Sequence, residues 1–380
     1  MVGMRRTFKY CLYRSRRDKH LIEQIEVAAS IWNHSVALTR RYYRIYGKYP
    51  GANRLMKHIA RLRRRNPYWQ KLGSQAVQDV IERLDRAYQR FFSEPKAGRP
   101  RFKKRERYSS FTLKQAGWKY PGGNRIRIGK HTYKFVRSRP IEGEIKTVTI
   151  KRDRVGRLWI CFSVVTAEEQ PKTPAPHEAV MRPVGLDFGL KCFLTLSDGR
   201  EIRAPEFFRR GLQEVRKAHR ALSRKQRGSN NYRKARVRLA KVYDRISNRR
   251  RDWFFKTAHA LCERYDFIAL EDLNIEGMKR RWGRKVSDLG FAEFVAILEH
   301  VARKRGVRVA KVDRFFPSSR RCSCCGWVKK DLSLADRKWT CERCGIVHDR
   351  DKNAAVNICR EGASSLGVGD VRPPGAAVAA

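Results

Sequence analysis

The spacing of apolar side chains changes character several times along the chain. Residues 6–15 alternate weakly between apolar and polar, the period of a strand. Leu21, Ile25, Ala28 and Trp32 then recur every three or four residues, which predicts a helix. Leu55, Ile59 and Leu62 predict a second. A third starts near Ser74, read as its N-cap, and carries Val77, Val80, Ile81, Leu84, Ala87 and Phe91 on one stripe. At Pro95 the chain turns polar, basic and Gly/Pro-marked. Beyond Phe111 strand patterns dominate: residues 146–151 alternate, a turn follows at Asp153–Gly156, and residues 158–165 complete a hairpin. Gly122, Gly123 and Gly129 mark other turns. These strands read as a small β-barrel completed by residues 6–15, with a helical subdomain, residues 19–93, inserted into it. Residues 167–180, rich in Pro, Glu and Thr, read as a linker.

From Val184 the pattern is α/β. Residues 184–188 and 193–197 are short apolar strands, with a turn at Asp198-Gly199. Residues 209–264 are long and helical, with a break predicted at Gly228-Ser-Asn-Asn. Residues 267–271 form a buried strand, 291–304 a helix and 307–313 a strand. A last helix starts at Asn353, and the tail from Gly362 is expected to be disordered. No internal repeat is visible.

Charge changes the picture most. Among 380 residues, Lys and Arg number 87 and Asp and Glu 37, a formal net charge of +50. Such a charge repels itself unless something anionic offsets it. Apolar residues make up 41%, enough for a core, so a disordered basic tail is excluded. No run of 18 apolar residues exists to span a membrane, and the N-terminus lacks the apolar stretch of a secretory signal. A nucleic-acid partner is the first reading and a polybasic membrane-surface protein the weaker one.

Four constellations carry chemistry. Cys322-x2-Cys325 and Cys341-x2-Cys344, each followed by glycine, have the spacing of a four-cysteine structural zinc site; Cys324 is a spare. Three acids stand where strand or helix ends could bring them together: Asp187 in an apolar strand, Glu271 ending another, and Asp351 beside the start of a helix. Converged, they would make a hard oxygen site suited to Mg²⁺. Each alone also has an ordinary explanation: a hydrogen-bonded turn for Asp187, a strand-end charge for Glu271, an N-cap for Asp351. Asp272 and Asp349 compete for the same roles. The segment 209–251 holds seventeen Lys and Arg, including Arg216, Arg220, Arg224 and Arg236, against Glu214 and Asp244, which favours phosphate binding over a merely solvated face. In Gly98-Arg-Pro-Arg-Phe-Lys-Lys-Arg, Arg99, Arg101 and Lys103 are candidate phosphate contacts, with Phe102 as an anchor; a solvated linker explains the segment equally well.

Five stretches together make the chain recognisable: Gly98-Arg-Pro-Arg-Phe-Lys, Val184-Gly-Leu-Asp-Phe-Gly, Ile268-Ala-Leu-Glu-Asp-Leu-Asn-Ile-Glu-Gly-Met, Phe316-Pro-Ser-Ser-Arg-Arg-Cys-Ser-Cys-Cys-Gly and Cys344-Gly-Ile-Val-His-Asp-Arg-Asp-Lys-Asn-Ala-Ala-Val-Asn-Ile. In this the chain resembles the TnpB family, RNA-guided nucleases of insertion sequences, similar to the compact type V CRISPR effectors. The resemblance covers residues from about 98 to 358; residues 19–93 match in character only. It implies a multidomain α+β protein. An RNase H-like (RuvC) α/β nuclease domain would occupy 181–315 and 348–361. A zinc-bearing target-nucleic-acid-binding insertion would take 316–347. A β-barrel wedge domain would take 1–18 and 94–180, a recognition domain 19–93, and a disordered tail 362–380. It implies two catalytic Mg²⁺ ions held by Asp187, Glu271 and Asp351, with Asp187 bridging, and one structural Zn²⁺ on Cys322, Cys325, Cys341 and Cys344. Asp351 is chosen over Asp349 because the family's acid directly precedes x-Asn. The implied partners are a guide RNA from the transposon end and double-stranded target DNA beside a short adjacent motif, with no membrane partner. The protein would act as a monomer in a prokaryotic cytoplasm, at the nucleoid. A DNA-strand-transferring transposase and a non-cleaving RNA-guided binder are the alternatives from other classes.

Overall fold

The computed structural model describes residues 4–166, 182–274, 277, 278, 280, 283, 286, 288–333 and 335–365. The segment read as a linker and residues 366–380 of the predicted tail lie outside the described residues. The chain divides into two compact units, Met1–Glu169 and Gln170–Ala380.

In the first unit, β1 (Met4–Cys11) is followed by four helices, α1 (Asp18–Tyr46), α2 (Gly51–Arg65), the short α3 (Pro67–Gln70) and α4 (Ser74–Ser93). Then come β2 (Ser110–Leu113), β3 (Trp118–Lys119), β4 (Arg125–Ile128), β5 (His131–Lys134), β6 (Glu144–Arg152) and β7 (Leu158–Thr166). A four-stranded antiparallel sheet runs in the order β1-β7-β6-β2. The first strand thus pairs with the last, Phe8 opposite Phe162, and the four helices are an insertion within one sheet. Strands β3, β4 and β5 form a separate meander, joined to the end of β1 by the bridge Leu12–Phe135. Every second residue of β7 is buried. Tyr10, Phe111, Phe135 and Phe162 sit in one core with the inner stripes of α1 and α4. Ser74 is the first residue of α4 rather than its cap: Gly73 holds the cap position and makes no side-chain bond.

The second unit is built on β8 (Pro183–Phe188), β9 (Leu194–Leu196), β10 (Glu201–Ile202), α5 (Phe207–Ser223), α6 (Asn230–Arg264), β11 (Phe267–Glu271), α7 (Phe291–Arg305), β12 (Arg308–Val312), β13 (Lys338–Thr340), β14 (Val347–Asp349) and α8 (Arg350–Ser364). The predicted break between the two basic helices is real. Gly228 takes φ +89°, and the Ser229 side chain accepts a hydrogen bond from Tyr232 N at 3.0 Å, capping α6. The sheet order is β10-β9-β8-β11-β12. β8 lies antiparallel to β9 and parallel to β11, and β11 is parallel to β12.

Period-two alternation gives the central strands two different faces. Val184, Leu186, Ile268 and Leu270 pack with Phe254, Leu261, Phe294 and Leu298 of α6 and α7. On the opposite face lie Gly185 and Ala269, and α8 crosses them. A Cβ on Gly185 would strike the Ala355 carbonyl oxygen and stand 2.6 Å from the Cys359 amide nitrogen. A Cβ on Gly362 would stand 2.6 Å from that of Ala269. The helix therefore runs on past Gly362, buried there, where the sequence predicted a disordered tail; its small residues lie against the sheet and hold it helical to Ser364. Among the described residues no helix is long and apolar enough to cross a membrane.

Candidate active site and four-cysteine cluster

Leu186 and Leu270 form the last pairing between β8 and β11, and Asp187 and Glu271 come one residue later on each strand. By alternation they share the face of Gly185 and Ala269, beneath α8. Asp351 lies in the first turn of that helix. Asp187 feels the other two acids. Burial pushes its carboxyl well above the usual range, and the negative charges of Glu271 and Asp351 push further in the same direction; Arg350 and the Phe188 amide oppose them. Burial likewise raises Glu271, opposed by a hydrogen bond from the Ser318 hydroxyl. Asp351 has a cationic neighbour in Arg337, whose Nη1 lies 3.4 Å from its Oδ2.

The competing acids are occupied otherwise. Asp272 pairs with Arg314. The N-cap that sequence reading allowed to Asp351 belongs to Asp349, whose side chain accepts from Lys352 N at 3.1 Å. The two-residue offset leaves Asp351 inside the first turn and free of the capping role. Among the described residues, only the four cysteines bring three or more ligand atoms within 4.8 Å of one another; the three carboxylates stand more openly. Three acids facing one part-buried space, two of them acting on the charge of the buried Asp187, is a donor set that fits hard divalent cations.

The cysteines form two matching knuckles. Cys322 N donates to Trp327 O and Gly326 N to Cys322 O; Cys341 N donates to Ile346 O and Gly345 N to Cys341 O, all at 2.7–3.0 Å. Gly326 and Gly345 take φ +77° and +71°, conformations that a side chain would strain. Sγ atoms of Cys322 and Cys344, and of Cys325 and Cys341, lie 3.6 Å apart. Tetrahedral Zn–S bonds of about 2.3 Å require a separation of about 3.8 Å, so the cage fits zinc. Burial opposes ionisation of Cys341, but the amides of Cys344 and Arg343 outweigh it and bring the thiol down to about 7. Cys324 is exposed and outside the group. His348 is buried against Trp339 and places Nε2 3.0 Å from Cys322 Sγ.

The candidate phosphate contacts divide. Arg216 and Arg220 on α5, Arg224 just past its end and Arg236 on α6 are exposed, and none forms an ion pair among the described residues. Arg99 is exposed over the ring of Tyr43. Around residue 102, Arg101 and Lys103 are exposed as expected, but Phe102 is not an inward anchor. Trp32 Nε1 donates to Arg101 O, and Asn33 bonds the amide and carbonyl of Lys103. So pinned, the chain turns Phe102 outward, 53% exposed, while Lys103 lays its ammonium 3.8 Å from the centre of the Trp32 ring.

Sequence reasoning missed Ser318, Arg337 and His348, which touch the candidate ligands from distant positions; no local spacing marks them.

A family model described as "Probable transposase" matches residues 163–281, and one described as "Cas12f1-like, TNB domain" matches residues 291–358. The chain is 34% identical over 313 residues to a Streptomyces pristinaespiralis protein named "Putative RNA-guided DNA endonuclease", covering 80% of this chain and 75% of that one. It is 30% identical over 316 residues to InsQ of Escherichia coli K12, which carries the same description, covering 78% and 77%. The fold is similar to that of the protein in a Cas12f1–sgRNA–target DNA complex, with a TM-score of 0.57 at 15% identity, over 91% of this chain and 83% of that one. The chain belongs to the TnpB family.

Proposed function

We propose that the protein is an RNA-guided DNA endonuclease whose second unit contains a RuvC-type, RNase H-like nuclease domain cutting DNA at Asp187, Glu271 and Asp351. The observation that carries this reading is the placement of Asp187 and Glu271 at matching ends of adjacent parallel strands, under the helix that bears Asp351. Three antiparallel strands followed by two parallel ones, with a helix across one face, support the RNase H-like assignment. The relatives' names support RNA guidance and DNA cleavage.

In this reading the three carboxylates hold two Mg²⁺ ions, which when bound supply an activated water and charge neutralisation at the leaving 3′-oxygen. Asp187, whose carboxyl feels the charges of both other acids, would hold the metal together with them. Burial first, and then the charges of Glu271 and Asp351, hold its carboxyl well above the usual range, a cost that a bound cation would offset. Ser318 orients Glu271, and Arg337 holds Asp351. No side-chain nucleophile is required. The four cysteines hold one structural zinc, and residues 316–347 contact target nucleic acid. The first unit supplies the wedge domain and, from its inserted helices, the recognition domain. The charge of +50 is offset by guide RNA and the RNA–DNA heteroduplex. Base pairing supplies target sequence, and the protein reads backbone shape and the motif beside the target.

The test supplies purified protein with its co-purifying RNA and a matched DNA plasmid in Mg²⁺. Linear product confirms the reading. Rejoined strands would identify a transposase, and intact DNA retained on the protein a non-cleaving binder.

A further inference from the structure

Residues 317–321 lie between β12 and the first knuckle, whose opening residues are Cys322 and Ser323. Ser318 is 6% exposed, and its hydroxyl donates to Oε1 of Glu271. The backbone around it is gripped from α8. Asn357 Nδ2 donates to Ser318 O at 2.8 Å and to Arg321 O at 2.6 Å. Asn353 Nδ2 donates to Arg321 O at 2.7 Å, and its Oδ1 accepts from Ser323 N at 2.9 Å. Arg360 adds a bond to Ser323 O. Positions 353, 357 and 360 recur at four and three, so one face of the helix grips one stretch of chain. Asn353 and Asn357 are 3% and 4% exposed. Buried carboxamides bonded this fully fix one geometry, because any slippage leaves polar atoms unpaired.

We propose that Ser318, Asn353 and Asn357 are positioning residues that fix the Glu271 carboxylate relative to the helix bearing Asp351. The proposal rests on the reading of Glu271 as a metal-holding acid. Pairing in the sheet fixes the Glu271 backbone but not its side-chain torsions. Ser318 occupies Oε1 and leaves Oε2 for a cation. Asn357 and Asn353 hold Ser318 in place, so both acids move with α8 as one body.

The experiment uses the full chain with its guide RNA, as wild type, Ser318→Ala, Ser318→Thr, Asn357→Ala and the double variant Ser318→Ala/Asn357→Ala. Three quantities are read: the Mg²⁺ concentration giving half-maximal cleavage, zinc content, and Mn²⁺ bound beyond that taken up by an Asp187→Ala complex. Ser318→Ala should raise the half-maximal Mg²⁺ concentration about tenfold and weaken Mn²⁺ uptake alike, with zinc unchanged. Ser318→Thr, which keeps the hydroxyl, should restore most of the loss. Asn357→Ala should act in the same direction, and the double variant should be no worse than Ser318→Ala, because both break one chain of contacts. An unchanged Mg²⁺ requirement in Ser318→Ala, or losses that add, would overturn the proposal. If Asn357→Ala fails to fold, Ser318→Ala and Ser318→Thr decide it. Full cleavage by Glu271→Gln would instead remove the reading on which it rests.

Discussion

Asp187 and Glu271 stand one residue past Leu186 and Leu270, the last pair shared by two parallel strands, and both turn toward the helix that carries Asp351. The relationship follows from the chain. Leu186 and Leu270 must face the aromatic core formed with α6 and α7. The next residue on each strand is thereby forced to the other face, where α8 lies close because Gly185 has no side chain.

That close approach makes Gly185→Ala a severe substitution. The added methyl meets backbone of α8 rather than a yielding side chain. We expect a loss upwards of about 3 kcal/mol in chemical denaturation, with cleavage lost in proportion to the unfolded fraction. A stability within 0.5 kcal/mol of wild type, roughly the scatter of neutral surface changes, would mean that α8 does not pack there.

Burial of Asp187, together with the neighbouring acid charges, has a consequence for pH. Its carboxyl is raised, so the folded state binds more protons than the unfolded state between the ordinary Asp value and the raised one. Its contribution to stability is full below that window and lost as pH rises through it. Asp187→Asn should therefore raise the melting temperature of metal-free protein at neutral pH. The gain should shrink on acidification, and also when Mg²⁺ is added to both proteins. A neutral-pH melting temperature lower than wild type would show that the acids are not crowded.

Asp349 and Asp351 separate by role. Asp349→Asn keeps a capping side chain, so melting and cleavage should stay near wild type. Asp349→Ala should cost about 1 kcal/mol and still cleave. Asp351→Asn should melt normally and not cleave. A cleavage gel beside a melting curve for each variant checks this; an inactive Asp349→Asn with an active Asp351→Asn would move the third acid by two residues.

Cys341→Ser should release about one zinc per chain and open residues 316–347 to protease. Cys324→Ser should do neither, since that thiol is exposed and outside the cage. Metal analysis decides, and equal losses from both changes would reassign the ligands.

Much of the second unit was legible because its signals are local. The cysteine knuckles carry their spacing and glycines with them, and the strands containing Asp187 and Glu271 announce themselves as apolar runs carrying one acid at or beside the end. What periodicity could not show was convergence. Nothing near residue 187 states that residue 351 will lie above it; the register of β8 against β11 and the missing side chain at Gly185 decide that. Choosing Asp351 over Asp349 needed the family motif. The capping bond of Asp349 gives the physical reason that the two acids differ. Phe102 misled because apolar residues flanked by cations usually point inward, whereas here hydrogen bonds from Trp32 and Asn33 pin the neighbouring backbone and leave the ring outside. The end of the last helix misled because Gly and Ala read as a flexible tail until the close approach of the sheet requires small residues.

In the function proposed here, DNA is cut at the three acids while the basic surfaces do the binding. Asp187→Ala, purified with its guide RNA, tests this most directly in a matched-target cleavage gel run beside a binding titration in Mg²⁺. The expected result is no detectable cleavage and target affinity equal to wild type or slightly higher, since one negative charge facing phosphate is gone. Cleavage at the wild-type rate by Asp187→Ala would contradict it.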